Sequence, residues 1–118
     1  MKQGTKQRGA VGESLAVQHL QKEGLAILER NYRFERGEID IVAQEGDELV
    51  FVEVKARSTR AFGSPEEAVT ERKQEQIRKV AEGYLYEHAF EHRPCRFDVV
   101  AIIFEHGKAH IDHMKNAF

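Results

Sequence analysis

The chain is short of cysteine, of proline and of long apolar runs, and each shortage excludes something. A single cysteine, Cys95, rules out an intramolecular disulfide framework and suits a reducing compartment, so a cytoplasmic location is expected. Cys95 stands at the start of an expected strand with no activating neighbour in the sequence, which reads as a small packed residue rather than a nucleophile. The two prolines, Pro65 and Pro94, are each expected at an element boundary. No stretch approaches the roughly 20 consecutive apolar residues of a membrane span. The basic start Met1-Lys2-Gln3-Gly4-Thr5-Lys6 is followed by no apolar run, so no signal peptide is expected. A surplus of positive charge is missing as well: 18 Lys and Arg against 20 Asp and Glu leave a formal net charge of −2. That balance argues against a tight, purely electrostatic nucleic-acid binder.

What is present suits one domain spanning residues 1–118, with 41% hydrophobic residues to build a core and 32% charged residues to solvate it. Basic residues gather locally, at Arg30, Arg33 and Arg36, at Arg57 and Arg60, and at Arg72, Lys73, Arg78 and Lys79. The spacing predicts a first helix from Gly9 to Glu23, stopped by Gly24, with Glu13 in line with Ala16, Val17 and Leu20. Strands are predicted over Leu25–Tyr32, Glu38–Gln44 and Glu48–Ala56. After a polar loop, Ser64-Pro65-Glu66-Glu67 reads as a helix start. The second helix carries Ile77, Val80, Ala81, Tyr84 and Leu85 on one face, with a break near Thr70, and ends before Pro94. Arg96–Glu105 and a last strand reaching Met114, joined at His106-Gly107-Lys108, complete the order αβββαββ. An antiparallel meander, a helical crossover and a further strand make an α/β fold, a mixed sheet flanked by helices.

The chemistry concentrates in one hairpin, from Glu38 to Lys55. Gly46-Asp47 is a two-residue turn, so Glu45 pairs with Glu48, Val42 faces Phe51, Asp40 faces Glu53 and Glu38 faces Lys55. Alternation then puts all of these side chains on one face. Directly opposed Cβ atoms lie ~4.5–5.5 Å apart, and like charges there repel. Asp40 against Glu53, in otherwise apolar strands, makes sense if a cation sits between them, and Mg²⁺ or Mn²⁺ accepts such ligands. Lys55 shares the face and is placed to act on a water or on phosphate charge, and the Val54 carbonyl is a further ligand by position. The competing reading is a solvated acidic face with a Glu38–Lys55 surface pair.

Asp40…Glu53-Val54-Lys55 resembles the PD-(D/E)xK nuclease signature. More narrowly, the chain resembles the YraN-like family of small predicted endonucleases, similar to archaeal Holliday junction resolvases. The matching pieces are Gly9-x-x-Gly12-Glu13-x-x-Ala16, Asn31-Tyr32-Arg33, Gly37-Glu38-Ile39-Asp40, Phe51-Val52-Glu53-Val54-Lys55-x-Arg57-Ser58, Phe62-Gly63-x-Pro65, Arg96-Phe97-Asp98-Val99-Val100 and Asn116-Ala117-Phe118. Ile39 stands where the nominal signature has proline. The resemblance implies a restriction-endonuclease-like fold with Glu13, Asp40, Glu53 and Lys55 as the catalytic set. Glu13, Asp40, Glu53 and the Val54 carbonyl would hold Mg²⁺ or Mn²⁺, Glu13 through water. The expected partner is DNA, with branched or damaged DNA among the candidates, met by Arg33, Arg36, Arg57, Arg60 and Lys73. Resolvase-like relatives act as dimers, which makes a homodimer an expectation too.

Two further functions compete. One is a non-catalytic nucleic-acid-binding module with the same fold. The other is a zinc peptidase built on His88, Glu91 and His92, which fit an H-x-x-E-H spacing but sit at a helix end. His110-x-Asp112-His113 alternates faces and reads as edge-strand polarity. Asp98, inside an apolar strand, reads as a structural acceptor for Arg96 or a loop amide.

Overall fold

The computed structural model describes residues 5–58, 69–90 and 92–118, arranged as helix α1 (Thr5–Lys22), strands β1 (Ala26–Phe34), β2 (Gly37–Glu45) and β3 (Glu48–Arg57), helix α2 (Glu71–Glu87), and strands β4 (Cys95–Glu105) and β5 (Lys108–Met114). This is the expected order αβββαββ. The helix start expected at Ser64 lies outside the described residues. Helix α1 begins earlier than Gly9, because a glycine inside a helix costs only about 1 kcal/mol against alanine and does not by itself end it. It stops where expected: Gly24 takes a φ of +95°, and the Leu25 amide turns back to the Leu20 carbonyl. Helix α2 begins at the expected break, with Thr70 as N-cap accepting from the Lys73 amide.

The sheet runs β1-β2-β3-β4-β5, antiparallel throughout except for the parallel pair β3–β4 that α2 connects. At Gly46-Asp47 the chain turns with Gly46 at a φ of +61°, and Glu45↔Glu48 and Val42↔Phe51 pair as the turn dictates. Central strand β3 is apolar on both faces, as a strand covered on both sides must be. Ile41, Val50, Val52, Val100 and Ile102 pack with Ala16 and Leu20 of α1. On the other face, Val42, Phe51 and Val99 pack with Ile77, Val80 and Tyr84 of α2. No helix of the described residues is long and apolar enough to cross a membrane.

Strict alternation fails at one place that matters. Ile39 and Val42, three residues apart, both belong to the α2-side core, so β2 twists out of its regular pleat around Asp40.

Candidate active site

Glu13 reaches the sheet because Gly12 lets α1 come close: a Cβ there would stand 2.9 Å from the Ala56 Cβ on β3. The Glu13 carboxylate is then held by β1, with Oε1 accepting from Asn31 Nδ2 at 2.9 Å and from Arg30 Nε at 3.3 Å. Asn31 lies in the left-handed region, φ +54°, in the middle of a strand. Asparagine tolerates that region better than most residues, and the conformation aims its amide at Glu13.

Backbone pairing between β2 and β3 extends to Ile41↔Val52 and gives way at Asp40 and Glu53. There the Asp40 side chain replaces the ladder, Oδ2 accepting from the Val54 amide at 2.8 Å. In an extended strand a residue's N–H and C=O point to the same side, so the Val54 carbonyl faces the same gap. The Leu49 amide, of opposite parity, points the other way, to the Pro94 carbonyl. Glu53 is buried at 7% exposure and its carboxyl shares a hydrogen bond with that of Asp40. Lys55 Nζ lies 3.8 Å from Glu53 Oε1. The pairing of Glu38 with Lys55 is not found: Glu38 bonds instead to Arg33 Nε at 3.2 Å, its partner across β1, because β2 has left β3 by that point.

Burial and the charge of Asp40 push the Glu53 carboxyl up to about 7, against the pull of Lys73 and Lys55. Burial also raises Asp40, opposed by the Val54 amide and helped by Glu13 and Glu38, while Lys73 again draws it down. Lys73, expected as a phosphate contact, is therefore within electrostatic reach of both carboxyls, delivered by the first turn of α2. Among the described residues no three His, Cys, Asp or Glu side chains converge closely enough to hold a metal ion. The donors that meet are Asp40, Glu53 and the Val54 carbonyl, with Glu13 near enough to act on Asp40 but tied to Arg30 and Asn31. An all-oxygen set of this kind fits Mg²⁺ or Mn²⁺. Arg36 is exposed in the β1–β2 turn and Arg57 ends β3, whereas Arg60 lies outside the described residues. His88 caps α2 with Nδ1 2.9 Å from the Tyr84 carbonyl, and Glu91 is outside the described residues.

A raised carboxyl has a measurable consequence. Between its ordinary value near 4.5 and about 7, Glu53 keeps a proton in the folded chain that it loses in the unfolded one. Metal-free stability should therefore fall as pH rises through that window. His113, also raised, adds to the same trend at its upper end. Thermal melts of wild type and Glu53→Gln from pH 4.5 to pH 8 isolate the Glu53 share, and the variant is expected to lose less stability with rising pH. Parallel profiles would show that Glu53 titrates normally.

A second buried polar cluster was only half legible in the sequence. Asp98, fully buried, accepts from Arg96 Nε at 3.0 Å and from the Asn116 amide at 2.9 Å, and meets His113 Nε2 at 2.6 Å. Arg96 Nη1 continues to Glu45 and Glu48 at the foot of the β2–β3 turn, at 2.7 and 2.9 Å. His113 Nδ1 lies 2.9 Å from Glu23 of the helix end. Asp98 is the structural acceptor its sequence position suggests. His113, expected as edge polarity, is instead buried between two carboxylates. A histidine three places past an exposed one on an edge strand carries no signal of that.

Residues 12–102 match the model of a family described as "Uncharacterised protein family UPF0102". Among similar proteins, each called a UPF0102 protein, that of Syntrophomonas wolfei is 49% identical over 93% of this chain and 96% of its own. That of Moorella thermoacetica is 45% identical over 96% of both chains, and that of Alkaliphilus oremlandii 48% identical over 96% and 98%.

Proposed function

The chain belongs to the UPF0102 family, the YraN-like family its motifs resemble, and on that footing we propose that it is a metal-dependent endonuclease that hydrolyses phosphodiester bonds in DNA. The observation that carries this reading is the pairing of half-buried Asp40 with buried Glu53, within reach of two lysine charges. A carboxyl raised by burial and by a second carboxyl beside it costs stability, and a protein keeps such a cost where charge is to be bound. Asp40, Glu53 and the Val54 carbonyl would hold Mg²⁺ or Mn²⁺, with Glu13 behind them. When bound, the ion supplies Lewis acidity toward a phosphoryl oxygen and a more acidic water. Lys55 offers a positive charge beside Glu53 to the phosphate, where negative charge builds during attack. Lys73 offers a second from α2. The Val54 amide holds the Asp40 carboxylate, and Asn31 and Arg30 hold Glu13, so the acidic groups are oriented before any substrate arrives.

The commitment of Glu13 to Arg30 and Asn31 favours a second reading, a binding module that keeps the fold without cutting. One assay separates the two: turnover of linear, flap and four-way junction DNA with Mg²⁺ or Mn²⁺, wild type beside Lys55→Ala. Metal-dependent cleavage by wild type, lost in Lys55→Ala, is expected. Losing one such charge-stabilising donor lowers turnover by about 10²–10³-fold in comparable sites. Equal cleavage by both proteins would point to a contaminant. Salt-sensitive binding without any cleavage would leave the binding module.

A further inference from the structure

We propose that the groove between the β1–β2 turn and helix α2 is the track along which one unpaired strand of DNA reaches Asp40 and Glu53. The inference rests on the nuclease reading for what happens at the end of the track, but not for the binding itself. The groove measures about 920 Å³ and is bounded by Phe34, Arg36 and Gly37 on one side and by Arg72, Gln76 and Lys79 on the other. Its walls are fixed. A Cβ on Gly37 would fall 2.3 Å from Val80 Cγ2, and one on Gly83 would fall 2.4 Å from the Phe34 ring, so turn and helix interlock through two glycines.

Arg36, Arg72 and Lys79 are exposed, and none makes an ion pair with a described residue. Glu35 and Glu75 share the groove, which leaves a modest positive balance. Arg72 and Lys79 are seven residues apart, so they lie on the same side of α2 about 10 Å from each other at ~1.5 Å per residue. Two cations that far apart can meet separate phosphates of one strand, the term that makes such binding salt-dependent.

The groove also has a direction. Strand β2 leads from Gly37 in its wall to Asp40, about 10 Å on at ~3.3 Å per residue. Helix α2 leads the same way, from Val80 beside Gly37 back to Lys73, whose charge is felt by both carboxyls. Phe34 decides for an unpaired strand. It is half-buried, backed by Gly83, and its remaining surface lines the groove among cations. An aromatic face in a basic groove is a stacking platform for a free base, which a base inside a duplex cannot reach.

The test is metal-free binding in EDTA, read by fluorescence anisotropy of labelled oligothymidine and of a duplex of equal length across a salt series. Wild type is expected to prefer the single strand. Arg72→Glu/Lys79→Glu, both on exposed helix positions, should weaken that binding more than tenfold. Arg72→Ala/Lys79→Ala should flatten the log–log salt slope by about 1.4, at ~0.7 per phosphate contact. Phe34→Leu should weaken single-strand binding by about tenfold, as loss of one stacked base does, and leave duplex binding unchanged. Unaltered binding by both charge variants, preference for duplex, or no binding by wild type would overturn the proposal. A strand bound in the groove and lost in the variants, without Mg²⁺- or Mn²⁺-dependent cleavage by wild type, would uphold the groove and remove the nuclease reading.

Discussion

Asp98→Ala is expected to lower the unfolding free energy by about 3–5 kcal/mol, the usual cost of leaving a buried charge without its partner. Asp98 is fully buried, and three donors depend on it: the Arg96 guanidinium, His113 and the Asn116 amide. Removing it strands the Asn116 amide and leaves His113 with Glu23 alone. Arg96 keeps Glu45 and Glu48, but both are at the surface edge and cannot follow it inward. The cluster ties β4 to the β2–β3 turn, to β5 and, through Glu23, to the end of α1, so the loss is felt across the fold. Against a typical total of about 5–15 kcal/mol, this is roughly a fifth of the stability or more. The melting temperature should fall by more than ~10 °C, read by far-UV circular dichroism. Burial alone would raise the Asp98 carboxyl, yet the bonds from His113, Arg96 and Asn116 more than offset it and leave it below the ordinary carboxylate range. Its stabilisation is therefore present above the ordinary value near 3.8 and lost as pH falls through the lower folded one. Asp98→Asn keeps an acceptor without the charge and should fall between wild type and alanine. A loss under about 1 kcal/mol for Asp98→Ala would mean that the cluster is replaced by water at little cost.

The hairpin that carries the candidate site was legible because two local rules agreed. Gly46-Asp47 read as a two-residue turn and so gave the register, and the unbroken apolar run Val50-Phe51-Val52 marked a strand covered on both faces. Legibility stops where the ladder stops. Opposing Glu38 to Lys55 assumed that pairing continues past Ile41, but the Asp40 side chain takes the Val54 amide and β2 swings toward β1. The part played by Lys73 was invisible for another reason. It follows from how α2 docks after a crossover, a tertiary outcome that no periodicity in the helix encodes. Asn31 left a trace: an asparagine is a poor strand former, and its place inside β1 marks a backbone position that needs positive φ. The resemblance to a nuclease family supplied Glu13, whose contacts to Arg30 and Asn31 only the fold reveals.

Asp40→Asn is expected to make the metal-free protein more stable while removing its response to metal and its cleavage. The two effects have opposite signs, which few structural roles can imitate. An asparagine at position 40 can still accept from the Val54 amide through its carbonyl oxygen, and its NH₂ can donate to Glu53. The repulsion that helps hold Glu53 at about 7 becomes an attraction, worth on the order of 1–2 kcal/mol once burial is set apart. The gain should be largest above that value, where both wild-type carboxyls are charged, and should vanish in acid, where the wild-type pair holds protons. In wild type, Mg²⁺ or Mn²⁺ at a hundred times its dissociation constant adds about 2.7 kcal/mol by binding only the folded chain. Asp40→Asn loses a charged ligand from a pair, so that increment should shrink to a small fraction, and DNA turnover with it. Melts at pH 8 with EDTA, Mg²⁺ or Mn²⁺, run beside the cleavage assay, read all of this from one preparation. A metal-free Asp40→Asn protein clearly less stable than wild type would show that the Asp40 carboxylate serves the fold, through the Val54 amide, and not a cation.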